Sequence, residues 1–259
     1  MSMRRELVKA LIAAAVLVGL VAGRAAAERP TVVRAGNLIL RLNGGVTPRK
    51  LPKGKLAPIT LKASGAIATA DGSQPPVAKT VTIDFDKHGT IDAKGLPVCR
   101  SSQLQARDTE AAKRACRGAI VGSGHTPVRV AFAEQSPFTA SGPLVLFNGG
   151  VRRGVTTMYI HAYVNVPAPT ALVTVVTIKK IHKGRYGIRA VARIPKIAGG
   201  YGSLINFHLK IHRTFRSGGR KHNYLLARCA NGRFYAHATA AFADGTRATG
   251  TIVRACSAR

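Results

Sequence analysis

The feature that most constrains this chain is a two-residue hydrophobic period that recurs from Asn37 onward. Leu38, Leu40 and Leu42 alternate with Ile39 and Arg41, and Ile59, Leu61 and Ala63 with Thr60 and Lys62. Val81, Ile83 and Phe85 alternate with Thr82, Asp84 and Asp86, and Phe207, Leu209 and Ile211 with His208, Lys210 and His212. A strand turns successive side chains to opposite faces, so each run offers one apolar face and one wet face. Between the runs stand Asn43-Gly44-Gly45, Asp71-Gly72, Asn148-Gly149-Gly150, Gly199-Gly200 and Ser217-Gly218-Gly219. These sequences favour positive φ or tight turns. Asn231-Gly232 and Asp244-Gly245 read as the tips of consecutive hairpins, and Lys183-Gly184 as a weaker turn. Many short strands punctuated in this way predict a mostly β fold, an antiparallel β-sandwich or a barrel-like sheet.

One segment departs from the period. Ser101 to Gly118 is rich in Ala, Gln, Arg and Lys and poor in β-branched residues. Asp108 suits a helix N-cap, Glu110 the first turn, and Gly118 the position past the end. The reading is one short helix, tied through Cys116 to Cys99 at the close of the preceding strand. The four cysteines, Cys99, Cys116, Cys229 and Cys256, allow three pairings. Cys99–Cys116 and Cys229–Cys256 are favoured, because each closes a local segment with its own turn signals. Their spacings of 17, 113 and 27 lack the close ligand pairs of a structural zinc site.

Ahead of the β region, Arg4, Arg5 and Lys9 precede an apolar stretch from Ala10 to Gly23 and then Ala25-Ala26-Ala27. This is the three-part layout of a secretory signal peptide, cut after Ala27. The apolar run is shorter than the roughly 20 residues that span a bilayer, and no later run approaches that length. The expectation is an exported protein, secreted or held in the cell envelope, with no membrane span after cleavage. Residues 28–259 suit a single β-sandwich domain, with a possible subdivision near 165–170 where Pro167 and Pro169 fall.

Charge is the other extreme property. The chain has 40 Lys+Arg against 10 Asp+Glu. Losing the first 27 residues removes four cations and one carboxylate and leaves a formal net charge of +27. Such a surface repels itself and attracts polyanions. Two readings stand side by side: a solvated surface that keeps the protein apart from its neighbours, and a specific site for an acidic envelope polymer or polysaccharide. The second has candidate residues in two basic stretches. One holds Lys179, Lys180, Lys183 and Arg185, and the other Lys210, Arg213, Arg216, Arg220 and Lys221. Tyr186, Phe215 and Tyr224 are the nearby aromatics that could stack on bases. No fold-specific nucleic-acid motif is present, so no specific nucleic acid is expected.

Catalytic and metal signals are thin. No G-x-S-x-G elbow occurs, and Ser123 in Gly122-Ser123-Gly124-His125 reads as a turn after the helix. Asp84 and Asp86 share one side of a strand about 6.6 Å apart, with Asp92 beyond the Lys87-His88-Gly89 turn. An EF-hand loop counted from Asp84 would need a carboxylate at its twelfth position, where Gly95 stands. Asp84, Asp86 and Asp92 are therefore weak metal candidates, the preferred reading is no metal, and no cofactor is implied. His208 and His212 sit about 13 Å apart if the segment is a strand.

The run Gly95-Leu96-Pro97-Val98-Cys99, then Cys116, Val121-Gly122-Ser123-Gly124 and Leu144-Val145-Leu146-Phe147-Asn148 resembles a group of exported β-rich proteins of high-GC actinobacteria. In that group a G-L-P-x-C segment, a second Cys and a V-G-x-G loop recur. The resemblance covers about residues 56–165. It implies export and a β architecture and brings over no functional residue. The functional expectation is a non-enzymatic protein that binds an acidic envelope polymer through basic sheet faces. The alternatives are a structural or adhesive module acting through protein contacts, and a hydrolase of unfamiliar type built on Asp84, Asp86 and nearby histidines.

Overall fold

A computed structural model describes residues 29–165 and 168–259. The expected signal peptide and Pro167 lie outside the described residues. Twelve strands form one antiparallel sheet: β1 (Thr31–Ala35), β2 (Leu38–Thr47), β3 (Thr60–Thr69), β4 (Ala78–Asp86), β5 (Ile120–Val130), β6 (Phe138–Arg152), β7 (Val155–Val164), β8 (Thr170–Lys183), β9 (Tyr186–Arg193), β10 (Asn206–Ile211), β11 (Arg233–Phe242) and β12 (Arg247–Ala255). Their spatial order is β1-β2-β3-β10-β5-β6-β7-β8-β9-β4-β11-β12, and Gly202–Leu204 extends β10 along β5 as a thirteenth member. Strands from before and after residues 165–170 interleave in this one sheet: β10 lies between β3 and β5, and β4 between β9 and β11.

The sheet curls until its two edges meet, forming a nearly closed barrel. At one half of the seam, β12 packs on β1. A Cβ added to Gly250 would stand 2.5 Å from Val33 Cγ2, so only glycine allows this approach. β1 reaches only as far as Thr31, opposite Leu42. Beyond it, Arg254 of β12 bridges to β2. Its Nε donates to Gly44 O at 2.6 Å and its Nη2 to Asn43 Oδ1 at 2.7 Å.

The apolar faces of the alternating runs point into the barrel. Leu40, Leu61, Ile83 and Leu209 line its interior. The outer wall carries charged and hydroxyl side chains, aligned by register. Lys179, Arg189, Asp84, His237 and Thr251 follow one another across β8, β9, β4, β11 and β12. Apolar inside and charged outside is the reverse of a membrane-spanning barrel, whose apolar band faces outward.

The two ends differ. At one end the strands are joined by long segments that fold over the opening. There Lys50–Leu51 pairs with Ser257–Ala258, and Leu225–Ala227 pairs with both Ala57–Pro58 and Gly89–Ile91. A hairpin of Thr214–Ser217 and Arg220–Asn223 completes this cap. Leu51, Leu96, Phe215, Tyr224 and Leu225 bury themselves in one cluster with Val121 and Leu146 of the wall. Both favoured disulfides, Cys99–Cys116 and Cys229–Cys256, form at this stapled end.

The helix α1 (Thr109–Ala115) forms as the sequence indicates. Asp108 Oδ1 accepts from the Ala111 amide at 2.7 Å, and Glu110 occupies the first turn. Ala112 of α1, with Leu104 and Ala119, packs on Val145 and Phe147 of β6. These residues cover the outer face of β6 and β7 and bury His161 completely. His161 Nε2 meets Arg107 O at 3.0 Å, while Nδ1 has no partner. Burial holds the imidazole below the ordinary histidine range, against the carbonyl contact that raises it.

Several turn assignments from the sequence are corrected. Asn43-Gly44-Gly45 lies inside β2, paired with Lys62 to Ser64. Asn148-Gly149-Gly150 lies inside β6, where Gly149 and Gly150 sit opposite Thr157 at a bulge. The β6–β7 turn is Arg153-Gly154, both at positive φ. Asn231-Gly232 is not a hairpin tip, because the preceding short strand pairs elsewhere. Asp244-Gly245 does join β11 to β12, Gly184 opens the turn from Lys183 at the end of β8 to β9, and Gly218-Gly219 after Ser217 turns the cap hairpin. Ser123 is mid-strand in β5 rather than in a turn. Its flanking glycines let β10 come close: a Cβ on Gly122 would stand 2.5 Å from Lys210 O.

Candidate functional site

Three places hold chemistry-bearing groups in numbers: the outer row around Asp84, a cationic groove on other strands of the wall, and the barrel interior.

Asp84 is 3% exposed. Arg189 grips it from the neighbouring strand, Nε to Oδ1 at 2.6 Å and Nη2 to Oδ2 at 2.7 Å. This bidentate contact holds the Asp84 carboxyl below the usual carboxylate range, although burial pulls the other way. Asp86 turns to its own loop. Its Oδ1 accepts from the His88 amide at 2.9 Å and meets His88 Nδ1 at 2.7 Å. Asp92 accepts from the Lys94 amide and from His222 Nδ1 at 3.1 Å. The three carboxylates thus serve three separate contacts. Among the described residues, no group of three or more His, Cys, Asp or Glu is placed to hold a metal ion. Nor do Asp84 and Asp86 converge as a hydrolytic pair must.

The basic stretches resolve into places on the barrel. Lys179, Lys180 and Lys183 are exposed along β8 toward the stapled end, and Arg185 sits in the β8–β9 turn there. Arg185 stacks on the Tyr235 ring, 4.4 Å from its centroid. Arg216, Arg220 and Lys221 are exposed on the cap hairpin at the same end. Arg213 is half-buried, with a buried Nε that has no partner. Two stretches far apart in sequence therefore share one end of the barrel. The aromatics proposed for base stacking do not serve that purpose. Phe215 and Tyr224 are buried in the cap, and Tyr186 is half-buried beside His237.

Lys210 belongs to a groove that sequence reasoning missed. The outer faces of β2, β3, β10 and β5 form a concavity of about 640 Å³ lined by Lys62, Ser64, Ser123, His125, His208 and Lys210. Register explains the grouping. Lys210 stands directly opposite Lys62 on one side and Ser123 on the other, and His208 stands between Ser64 and His125. None of these four strands contains an Asp or Glu. Like charges directly opposite in a sheet repel, and here no carboxylate on the same strands relieves Lys62 and Lys210.

The interior is the third place. Eight strands make a barrel that side chains just fill, and the diameter grows with strand number. This barrel has twelve, and many inward positions are small: Ala190, Ala192, Ala236, Ala238 and Ala240 among them. The result is an apolar cavity of about 430 Å³. Tyr224 lines the cavity from the cap, 1% exposed, and its hydroxyl has no hydrogen-bond partner. Burial pushes its pKa up, so the hydroxyl stays neutral.

The residues that carry the resemblance noted above form one packed unit. Asn148 at the end of the Leu144–Asn148 run is fully buried. Its Nδ2 donates to Pro97 O at 3.0 Å and to Leu96 O at 3.4 Å, and its main-chain carbonyl accepts from the Cys99 amide at 2.9 Å. The Gly95–Cys99 loop is thus clasped by β6 and stapled by Cys116. No protein-family model, no curated protein and no solved structure matches this chain.

Proposed function

We propose that this is an extracytoplasmic binding protein for an acidic polymer, which it holds along the cationic groove and the stapled end. The observation that carries the reading is the Lys62–Lys210 pair, two cations in direct register on four strands without a carboxylate. An anionic group between them would relieve their repulsion and gain two charge-assisted contacts. His125 and His208 flank the pair. The exposed cations of the β8–β9 turn and the cap hairpin extend the positive field past the rim. The leader-like first 27 residues and the two disulfides support an oxidising compartment outside the cytoplasm. There, envelope polymers and acidic polysaccharides are the available polyanions.

The test is retention on isolated cell envelopes, and on acidic polysaccharides of equal charge density, over a salt series. A protein that is merely basic binds all polyanions alike. A built site discriminates between them and loses about two units of salt dependence when Lys62 and Lys210 both become Ser, by analogy with counterion release from nucleic acid. Changing Lys79 and Lys196, which lie toward the other end, should leave that discrimination intact. Absence of binding at physiological salt would overturn the reading and favour a module acting through protein contacts.

A further inference from the structure

We propose that the groove is a two-row site whose second row, His125 and His208, engages the polymer by taking up protons, so that the protein holds its polyanion more tightly in mildly acidic surroundings and releases it as the pH rises. The proposal rests on the groove reading above and adds to it the spacing of the bound charges and the condition under which they are held.

Register builds the rows. Across β2, β3, β10 and β5 the first row is Gly45, Lys62, Lys210 and Ser123, and the second is Asn43, Ser64, His208 and His125. Two residues separate the rows on each strand, about 6.6 Å at the usual rise. Within the second row His208 stands directly opposite His125, a placement that sets Cβ atoms about 5 Å apart. Both histidines are exposed and both line the groove. The concavity comes from the small residues around them. Gly45, Ser64 and Ser123 leave space between the longer side chains. A Cβ on Gly124 would collide with His208 O, so glycine lets β5 and β10 lie close.

The charges that face the histidines are all positive. Lys62 and Lys210 fill the row toward the stapled end, with His212 next along β10, and Arg41 lies one row the other way on β2. Arg49 and Arg254 line the groove on the seam side. The four groove strands have no Asp or Glu, and neither do the flanking β1, β6 and β12. Other histidines meet partners within the protein: Asp86 for His88, Arg107 O for His161, Asp92 for His222 and Thr251 for His237. A charged imidazole in the groove finds no carboxylate on any of these strands, so its counter-charge comes from the bound molecule. A neutral imidazole donates one hydrogen bond, whereas a charged one donates from both ring nitrogens and adds a unit charge. Lysine keeps its charge across the neutral range, and histidine ordinarily gains its own within it. The first row therefore holds one anionic group throughout, and the second row holds the next group when protons are supplied. A single anion fills one row only. A polymer whose charges recur about 6.6 Å apart fills both. The coupling is reciprocal: protons tighten the polymer, and the polymer draws in protons.

Dextran sulfate is the probe, because its sulfate esters keep their charge from pH 5.5 to 8.0 and any pH dependence then belongs to the protein. Retention of the oxidised protein is measured over a salt series at both pH values. From pH 8.0 to 5.5 the affinity should rise about 5–150-fold, the usual range for coupled ligands. The salt dependence should steepen by about two units, one for each added contact, by analogy with nucleic acid. Binding near pH 6.5 should take up protons, read on a pH-stat. In the double variant His125→Gln, His208→Gln the pH 8.0 behaviour should persist at pH 5.5 and the proton uptake should fall away. His237→Gln, on β11 outside the groove, should behave as wild type. Equal affinity and salt dependence at both pH values in the wild type, or a pH dependence that survives undiminished in the double variant, would overturn the histidine row and leave the Lys62–Lys210 reading standing. Absence of binding at physiological salt at either pH would overturn both.

Discussion

Replacing Ala190 with Leu tests whether the barrel interior is open or packed. Ala190 lies on β9 opposite Ile178 and Ile83 and lines the cavity. The change adds three carbons. If they enter open space and leave water, at about 0.8 kcal/mol per buried carbon the gain is about 2.4 kcal/mol. If the wall were closely packed, the same change would cost about 1–3 kcal/mol through displaced neighbours. The sign therefore decides. A domain of this length shifts in Tm by about 2–4 °C per kcal/mol, so the gain appears as a rise of about 5–10 °C. Urea denaturation with both disulfides intact reads the same quantity as an increase in midpoint at constant slope. Ala241→Leu on the outer face of β11 is the control and should stay within about 0.5 kcal/mol of wild type. A lower Tm for Ala190→Leu, with the control unchanged, would refute the reasoning that twelve strands leave this interior unfilled.

Three further outcomes follow from contacts already described. Arg189→Met leaves the Asp84 carboxylate buried and unpaired, and should cost about 2–4 kcal/mol at pH 7. The pH dependence should also reverse. Wild type loses this contribution as pH falls below the ordinary aspartate range through the lowered native pKa of Asp84, whereas the variant should gain stability on acidification as the carboxyl becomes neutral. Identical acid limbs in urea titrations of the two proteins would contradict this. His161, with a native pKa below its unfolded value, contributes stability that is complete above about pH 6.5 and declines as pH falls from there. His161→Gln should flatten the stability profile over that window, and an unchanged slope would count against it. Removing Cys229–Cys256, which closes a 27-residue separation, should cost about 3.5 kcal/mol by chain entropy, and removing Cys99–Cys116, with a separation of 17, about 3 kcal/mol. Equilibrium unfolding of the paired Ser variants measures both.

The inner faces of this barrel were legible in the sequence because a two-residue period assigns sides without reference to anything distant. The alternation of Leu38, Leu40 and Leu42, or of Phe207, Leu209 and Ile211, identifies the inward residues correctly. It cannot choose between two stacked sheets and one rolled sheet, since both bury one face of every strand. That choice lies in the meeting of β2 and β12, 211 residues apart at Asn43 and Arg254. The glycine signals failed where glycine does something other than turn. Gly44 sits in β2 because a Cβ there would stand 3.1 Å from Lys62 O. The actual β6–β7 turn used Arg153 at positive φ, which no turn rule favours. The groove escaped notice because Lys62 and Lys210 are brought together only by register. The alanines of β11 were visible in the sequence, yet small residues signify open space only once the circumference is known. Tyr224 offers a base-stacking ring in the sequence, but the cap buries it.

The seam between β2 and β12 also dictates an order of assembly. Every other neighbour contact in the barrel can form within a partial sheet, but Arg254 can reach Asn43 and Gly44 only after the remaining strands have been laid down in register. Closing a loop of that length carries a large entropic cost before any contact compensates it. Until then the apolar inner wall is a concave open sheet with two unpaired edges, the form most prone to join another copy. A chain interrupted before Arg247 would remain in that state. For this molecule, closing the seam and covering the apolar inner wall are the same event.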